Sequence, residues 1–280
     1  MSVCCNGNMQ VSKTLRSGFE SSHLRHQGIV MDLLVALLTT RDEQKLKNCI
    51  ESVLPQTDNI VVVCNTLDFS YAETARTVSE SYNLKFILTE SNGTPAKGKN
   101  SVLEYFRTTD HAYFMQIDAD DSLFPDAISK IKKIVCENPD VDVVGLTNNY
   151  MLYDGKETTA KEFFEGTDIY KFAKIKGAHG LHLIQLGKFL ATNLEYNRMV
   201  LYSKKCINSF NFDETFIGSE DVVASYKLYY RNDINYILTD ENLYVYNLED
   251  NGNFYSFLSN PVEIKKVLRE LRIIVNESRV

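Results

Sequence analysis

Short apolar segments alternate with amphipathic segments between residues 32 and 146 of this 280-residue chain. Leu33 to Leu38 is a continuous apolar run, which is typical of a strand buried on both faces of a sheet. Similar apolar runs occur at 60–64, 84–88, 112–117 and 141–146. Strands that alternate with helices at this spacing predict an α/β fold of βαβ units. The sheet is therefore expected to be mainly parallel, with helices on its faces.

The segments between these strands have helical periodicity. In Glu43 to Leu54 the residues Leu46, Ile50 and Val53 share one face, and Pro55 ends the helix. Further helices are predicted over 71–82, up to residue 106, and from 125 to about 137. After residue 148 the alternation is looser. The later predicted elements are a helix at 220–230, strands at 236–238 and 243–246, and a final amphipathic helix at 262–275.

The composition separates an N-terminal segment from the remainder. Residues 1–30 contain many Ser, Asn, Gln, Gly and basic residues and show no sustained hydrophobic period. We expect a poorly ordered extension there, followed by a single folded domain over 31–280. Three of the six cysteines, Cys49, Cys64 and Cys136, lie in apolar periodic segments, so we expect them to be buried free thiols.

Net charge and hydropathy limit the partners and the location. The formal charge of −7 provides no global basic field for nucleic acid, although a local basic groove remains open. No run approaches the ~20 apolar residues that span a bilayer. No signal peptide is recognised at the N-terminus, so the sequence favours a cytoplasmic protein.

The acidic motif Asp118-Ala119-Asp120-Asp121 directly follows the predicted strand that ends at Ile117. Ligands of open α/β sheets bind outside the carboxyl ends of the strands. Two carboxylates one residue apart on extended backbone point the same way, and they can hold a hard divalent ion that also binds phosphate oxygens. Aspartates also favour turns, but the position of the motif at a strand end favours a functional role.

Two further segments contain residues suited to chemistry. Lys97 and Lys99 flank Gly98 just before a helix, where backbone N–H groups and lysine charge favour phosphate. Glu220 and Asp221 begin a later helix after Gly218-Ser219. Serine at an N-cap followed by acids also suits any helix N-terminus, so this second segment permits a purely structural interpretation.

Together these segments resemble a GT-A fold glycosyltransferase, most closely of family 2. The matching segments are Val35 to Thr40, Ser52-Val53-Leu54-Pro55-Gln56, Val61-Val62-Val63-Cys64-Asn65, Lys97-Gly98-Lys99-Asn100 and the D-x-D pair Asp118/Asp120. The resemblance covers residues 31–148 well and the remainder thinly. It implies a Rossmann-like nucleotide-sugar-binding half over 31–148. An acceptor-side half with the C-terminal helix would then occupy 149–280.

The resemblance implies a nucleoside-diphosphate sugar as donor, with a UDP-sugar favoured. It places Mg²⁺ or Mn²⁺ between Asp120 and the diphosphate, and Asp118 nearer the ribose and the metal-bound waters. Four residues fall where the family holds the base and ribose. They are Thr39, Thr40, Arg41 and Asn65, of which Asn65 replaces a frequent acidic residue.

For the acceptor side, the resemblance assigns the general base of an inverting reaction to Asp221, with Glu220 less favoured. His179 and His182 lie in the region expected to face the acceptor. Many relatives complete the metal site with a C-terminal histidine, which residues 244–251 lack. Either Asp120, phosphate and water suffice, or a replacement is provided by Asn247, Glu249 or Asp250.

Two other classes of protein compete with this interpretation. A nucleotidyltransferase can use a similar sheet with metal-bound aspartates, but Thr39-Thr40-Arg41-Asp42 lacks the glycine-rich basic signature usual after its first strand. A catalytically inactive scaffold that binds a sugar or nucleotide is the second alternative. The acceptor stays open between a glycan, a lipid-linked sugar, a protein, a small molecule and a modified nucleic-acid base in a viral setting.

Overall fold

A computed structural model of the chain describes residues 31–147, 149–153, 155–166, 185–186, 188–189, 193, 198–248 and 261–278. The predicted N-terminal extension lies outside these residues, as do His179, His182, Glu249 and Asp250. The domain boundaries at residues 30 and 148 therefore stay predictions.

The described strands and helices follow the predicted alternation. The strands are β1 (Leu33–Thr39), β2 (Ile60–Cys64), β3 (Lys85–Leu88), β4 (Tyr113–Asp118), β5 (Ser122–Leu123), β6 (Val143–Leu146), β7 (Tyr150–Tyr153), β8 (Lys156–Thr159), β9 (Arg198–Ser203), β10 (Tyr236–Thr239) and β11 (Tyr244–Leu248). The helices are α1 (Glu43–Val53), α2 (Phe69–Ser81), α3 (Pro95–Arg107), α4 (Ala127–Glu137), α5 (Ala160–Glu165), α6 (Lys204–Ile207), α7 (Glu220–Tyr229) and α8 (Pro261–Glu277). None of these helices is long and apolar enough to cross a membrane.

The main sheet has seven strands in the order β10-β6-β9-β4-β1-β2-β3. Strand β1 pairs in parallel with β2 and β4, β2 with β3, and β6 with β10. Strand β9 runs antiparallel to both of its neighbours, β4 and β6. The predicted α/β class with a mainly parallel sheet is therefore confirmed, and β9 is its reversed strand.

Burial on both faces of the sheet explains the continuous apolar run at the start of the fold. All seven residues of β1 are buried. Val35 and Leu37 belong to the hydrophobic cluster formed with α1, α2 and α4, whereas Leu34 and Ala36 belong to the cluster formed with α3. Successive side chains of a strand point to opposite faces of the sheet. Because both faces of β1 are covered, both sets of side chains are apolar, and the strand lacks the alternation of apolar and polar residues seen in half-exposed strands.

The cysteine prediction holds for two of its three residues. Cys49 and Cys64 are buried free thiols, but Cys136 is exposed. Helix α4 buries Ile128, Ile131 and Val135. Cys136 follows Val135 directly, so it lies about 100° around the helix from that residue, outside the buried stripe. The segment is helical with an apolar stripe, but the prediction that Cys136 belongs to the buried stripe is wrong.

A second, smaller sheet has the order β5-β11-β7-β8 and was not predicted as a sheet. Strand β5 begins one residue after Asp121 and pairs antiparallel with β11, where Tyr244 lies opposite Leu123. Strand β11 also pairs in parallel with β7, which forms a hairpin with β8. The small sheet therefore fixes the segment after the acidic motif and brings β11 beside it.

Candidate active site

The acidic motif lies at the carboxyl edge of the main sheet. The parallel strands β1, β2 and β4 end together there, since the backbone N–H of Asn65 donates to the carbonyl of Thr39 and that of Ala119 donates to Leu38, at 2.9 and 2.8 Å. Parallel strands place their following loops at one edge, where α/β proteins bind ligands. Residues 39–41, 65 and 118–121 are therefore neighbours in space, as the sequence predicted.

Asp121 joins the motif to the small sheet. Its carboxylate is buried and accepts a hydrogen bond from the Tyr244 hydroxyl at 2.6 Å and another from the backbone N–H of Asn247 at 2.9 Å. Burial, followed by the charge of Asp120, raises the pKa of Asp121 well above its ordinary value. Both carboxylate oxygens are engaged within the protein, so Asp121 is suited to holding the loop in place.

Asp118 binds a residue that sequence analysis did not single out. Its Oδ2 accepts a hydrogen bond from Nη2 of Arg198 at 2.9 Å, and Nη2 is also 3.4 Å from Oδ2 of Asp121. Burial alone would raise the pKa of Asp118, but the charges of Lys99 and Arg198 hold it below its ordinary value. Asp118 is therefore an ionised, paired carboxylate.

Asp120 has a less compensated carboxylate. Its backbone carbonyl accepts a hydrogen bond from the side-chain amide of Asn247 at 2.7 Å. No side chain in the described part of the chain forms a hydrogen bond or ion pair with its carboxylate. Burial and the neighbouring charge of Asp118 raise its pKa, because a second negative charge in this place is unfavourable. The carboxylate of Asp120 is thus available to a cation.

These residues fit a divalent cation that binds together with a diphosphate. Within the described ranges, no cluster of three or more His, Cys, Asp or Glu forms a complete metal cage. Mg²⁺ in proteins is commonly held by one or two carboxylates, substrate phosphates and water. The carboxylate of Asp120 is suited to serve as one such ligand, and the side-chain amide of Asn247 binds the backbone carbonyl of Asp120. Asn247, the one of the three proposed replacements for the missing histidine that lies within the described residues, contacts the motif.

The predicted acidic pair, Glu220 and Asp221, contacts Lys99. Nζ of Lys99 is 2.6 Å from Oε1 of Glu220 and 3.4 Å from Oδ2 of Asp221. Glu220 is 2% exposed, whereas the side chain of Asp221 is 37% exposed. The structure thus places Lys99 on the acidic pair, and Asp221 is the more exposed of the two acids.

The two acids have opposite pKa shifts. Burial raises the pKa of Glu220, and the charge of Lys99 offsets this effect only in part. For Asp221 the charges of Lys99 and Arg198 outweigh the effect of burial, so its pKa lies below the ordinary value. Asp221 is therefore a carboxylate ready to accept a proton at neutral pH, while Glu220 is the residue that anchors Lys99.

The start of α7 does not have the geometry of an ordinary capped helix. Ser219 occupies the N-cap position with φ of 63°, in the left-handed region, and makes no side-chain capping hydrogen bond. Its Oγ is buried without a partner among the described residues, and so is Oε2 of Glu220. Strained backbone of this kind tends to occur at functional sites. The simple capping interpretation of this segment therefore does not describe the structure.

A small cavity borders Asp221 of the acidic pair. Lys99, Gln116, Arg198 and Asp221 are among its lining residues, and its volume is about 20 Å³, enough for about one water molecule. Oε1 of Gln116 is buried and has no hydrogen-bond partner in the described ranges. The guanidinium of Arg198 and the ammonium of Lys99 thus lie between the acidic motif and the acidic pair.

The other residues predicted to bind the donor, four for the base and ribose and Lys97 for phosphate, divide into two groups. The buried Thr39 hydroxyl bonds to the hydroxyl of Tyr71, and the Asn65 amide donates to Oγ1 of Thr89 at 2.8 Å and to the carbonyl of Glu90 at 3.0 Å. These two side chains therefore stabilise the strand ends. Thr40 and Arg41 are exposed, and Lys97 is half-buried near the start of α3. The latter three have side chains with access to a ligand.

Replacing Lys99 with methionine should lower the free energy of unfolding by about 1–3 kcal/mol near neutral pH, because Glu220 loses the cation beside it. The pKa of Glu220 should then rise further above its unfolded value. A carboxyl group with a raised folded pKa costs stability above its unfolded pKa, so the loss should shrink below about pH 4. Urea denaturation at pH 4 and pH 7 measures both effects.

Lys97→Met is the matched control, since Lys97 lies two residues earlier on the same helix and is half-buried. It should change stability by no more than about 0.5 kcal/mol. Equal losses in the two variants, or a loss in Lys99→Met that does not depend on pH, would show that the ion pair with Glu220 is not responsible.

Solved structures share this fold. S. aureus TarS 1-349 in complex with UDP-GlcNAc matches 88% of this chain with a TM-score of 0.56 and 17% identity, over 66% of its own length. S. aureus TarS matches 87% of this chain with a TM-score of 0.54 and 17% identity, over 39% of its own length. This chain thus spans less than two thirds of these TarS chains. At such identity the likeness establishes the fold, and it confirms the predicted GT-A architecture.

A more distant structure has the same fold. Mannosyltransferase PcManGT from Pyrobaculum calidifontis, in complex with GDP-Man and Mn²⁺, matches 76% of this chain with a TM-score of 0.50 and 14% identity, over 56% of its own length. A comparison with curated proteins found no match.

The model of the family described as glycosyl transferase family 2 matches residues 35–211, which is more than half of the chain. The match begins in β1, includes Lys99 and the acidic motif, and ends before Glu220 and Asp221. It therefore covers the strands that build the carboxyl edge of the sheet. The chain belongs to glycosyl transferase family 2.

Proposed function

We propose that this protein transfers a sugar from a nucleoside-diphosphate sugar, with UDP-sugar favoured, to an acceptor hydroxyl with inversion and with the help of a divalent cation. One observation carries the proposal. Asp221, an ionised and partly exposed carboxylate, lines one small cavity with Lys99 and Arg198. Arg198 also binds Asp118, two residues before the open carboxylate of Asp120. These residues would supply a donor site and a base beside each other.

The donor side is assigned to the carboxyl ends of β1, β2 and β4. Thr40, Arg41 and Lys97 have accessible side chains there, and Arg41 and Lys97 carry charges suited to a nucleotide. Asp120, with Asp118 beside it, would hold Mg²⁺ or Mn²⁺, which would neutralise charge on the diphosphate leaving group. TarS 1-349 in complexes with UDP and with UDP-GlcNAc, and PcManGT with GDP-Man and Mn²⁺, support a donor of this class.

Asp221 is proposed to act on the acceptor. Its carboxylate takes the proton of the acceptor hydroxyl while the hydroxyl oxygen forms a bond to the anomeric carbon of the sugar. The bond from that carbon to the diphosphate breaks on the opposite face, and the nucleoside diphosphate leaves with the bonding electrons. Attack and departure on opposite faces invert the anomeric configuration. Lys99 supports this role because it keeps Asp221 ionised.

A panel of nucleotide sugars tests the proposal without knowledge of the acceptor. UDP-, GDP-, ADP- and dTDP-sugars are each incubated with the protein in Mn²⁺ or in EDTA, and melting temperature and nucleotide release are measured. A ligand at 100 times its Kd adds about 2.7 kcal/mol to stability, so donor binding is readily seen. We expect a UDP-sugar to raise the melting temperature and to be slowly hydrolysed, both dependent on Mn²⁺.

Two results would contradict the proposal. Binding of a donor without any nucleotide release, even with a broad panel of acceptors, would identify the catalytically inactive scaffold. Release of pyrophosphate from a nucleoside triphosphate would identify the nucleotidyltransferase.

A further inference from the structure

Arg198 reaches the acidic motif because β9 is reversed. The antiparallel register pairs Tyr113 of β4 with Ser203 of β9. Asp118 lies five residues after Tyr113, and Arg198 lies five residues before Ser203, so the two are level at the end of the strands. A guanidinium is thereby placed at the carboxyl edge of the parallel strands, directly beside the first aspartate of the motif.

The guanidinium is held there from several sides. The Tyr244 hydroxyl accepts a hydrogen bond from Nη2 of Arg198 at 2.6 Å, and the same hydroxyl donates to Asp121. The Arg198 guanidinium also lies over the ring of Tyr244 at 4.1 Å from its centroid, and 5.5 Å from that of Tyr246. Its side chain is 14% exposed. Arg198 is therefore a fixed charge in the motif rather than a mobile surface group.

The carboxylates of the three aspartates differ in how many partners they have within the protein. Asp118 is paired with Arg198 and Asp121 is saturated by Tyr244 and Asn247, while Asp120 has no such side-chain contact in the described residues. A dication that approaches Asp120 meets the positive charges of Lys45 and of Arg198, and Arg198 is the one that also occupies Asp118. One available carboxylate beside a guanidinium is a weak cation site, and the charge of a diphosphate would be needed to complete it.

We infer that Arg198 is a positioning residue that occupies Asp118 and opposes cation binding, so that a divalent cation binds at Asp120 only together with the diphosphate of the donor. The inference rests on the proposed donor site at Asp120, but not on the proposed transfer step. When no nucleotide is bound, the positive charge of Arg198 compensates the negative charge of Asp118. A divalent cation then does not bind to the motif without the diphosphate.

The test measures Mn²⁺ binding by titration calorimetry and by the electron paramagnetic resonance signal of free Mn²⁺, with and without UDP. Wild-type protein should bind Mn²⁺ at least about tenfold more weakly without UDP than with it. Arg198→Met should bind Mn²⁺ without UDP about tenfold or more tightly than wild type does, because Asp118 is released and the opposing charge is removed. Arg198→Lys retains the charge and should stay within about threefold of wild type.

Two further variants separate the effect of Arg198 on cation binding from an effect on folding. Arg198→Gln removes the charge but keeps a hydrogen-bond donor for Asp118, and it should show the same tightening if the methionine variant does not fold. Arg107→Met removes a guanidinium that binds the carbonyls of Ile207 and Phe210 instead, and it should leave Mn²⁺ affinity unchanged.

Unchanged or weaker nucleotide-free Mn²⁺ binding in folded, charge-free Arg198 variants overturns the inference. So does the absence of Mn²⁺ binding by wild type in the presence of UDP. No acceptor is needed for these measurements. Failure of sugar transfer with the expected Mn²⁺ behaviour would therefore contradict the proposed function alone.

Discussion

Asp221→Asn is expected to lower kcat by about 10²- to 10⁴-fold, the range for loss of a general base. The substitution keeps the shape of the side chain and removes its ability to accept the proton of the acceptor. Donor affinity should be nearly unchanged, because the proposed donor site is formed by Asp120 and the carboxyl ends of the strands rather than by Asp221. An unchanged Kd for UDP with a reduced kcat distinguishes this effect from a general disturbance of the site.

The competing structural role of Asp221 predicts a different result. An acid in the first turn of a helix contributes about 0.3–1 kcal/mol to stability and has no influence on rate. Glu220→Gln is the control for the neighbouring charge. Because Glu220 is buried against Lys99, this change should reduce stability and lower kcat much less than Asp221→Asn does. If Asp221→Asn retains more than about a tenth of wild-type kcat, Asp221 is not the base. Either Glu220 would then be the base, or the reaction would retain the anomeric configuration.

Asp120→Asn is expected to reduce kcat/KM by about 10³-fold or more, because a metal ion contributes several kcal/mol to charge stabilisation and each 1.36 kcal/mol is a factor of ten. Stability should be kept or slightly increased. The Asp120 carboxylate is partly buried beside Asp118 with its pKa raised, so removal of its charge relieves repulsion. Melting temperature and steady-state rates with Mn²⁺ provide the measurement.

Asp126→Asn is a matched control for this change. Asp126 forms an exposed ion pair with Lys130 at 3.1 Å, at the start of α4 and outside the acidic motif. The steady-state rate of the Asp126→Asn variant should equal that of the wild-type protein. Near-wild-type turnover of Asp120→Asn, or equal turnover of wild type in EDTA and in Mn²⁺, would show that Asp120 does not act through a cation.

The first half of the fold was predictable because its signals are local. The strand at Leu33–Thr39 is buried on both faces, and an uninterrupted apolar run of this length is typical of such a strand. Helix α1 ends beside Pro55, as its sequence indicates. Asp118 is the last residue of β4 and Asp120 lies two residues beyond it, so their place at the sheet edge required only the parallel topology.

The contacts within the site were not predictable, because they depend on elements that are distant in sequence. Lys99 resembled a phosphate-binding lysine of a loop, but it lies within α3 and reaches Glu220 across 121 residues of chain. Arg198 had no motif around it, and its position beside Asp118 follows only from the reversed direction of β9. Tyr244 appeared as an ordinary strand aromatic, although its hydroxyl joins Asp118, Asp121 and Arg198.

The reversed strand also has a consequence for the synthesis of the chain. Strand β9 lies between β4 and β6 in the sheet, yet it follows both of them in sequence by more than 50 residues. A ribosome-bound chain that has released residues 31–146 must therefore expose the edge of β4 that β9 later covers and both edges of β6, since β10 also follows later in the chain. Such edges are sites of aggregation. A nascent chain stalled before residue 203 should thus be held by chaperones, and it should become protease-resistant only after β9 has emerged.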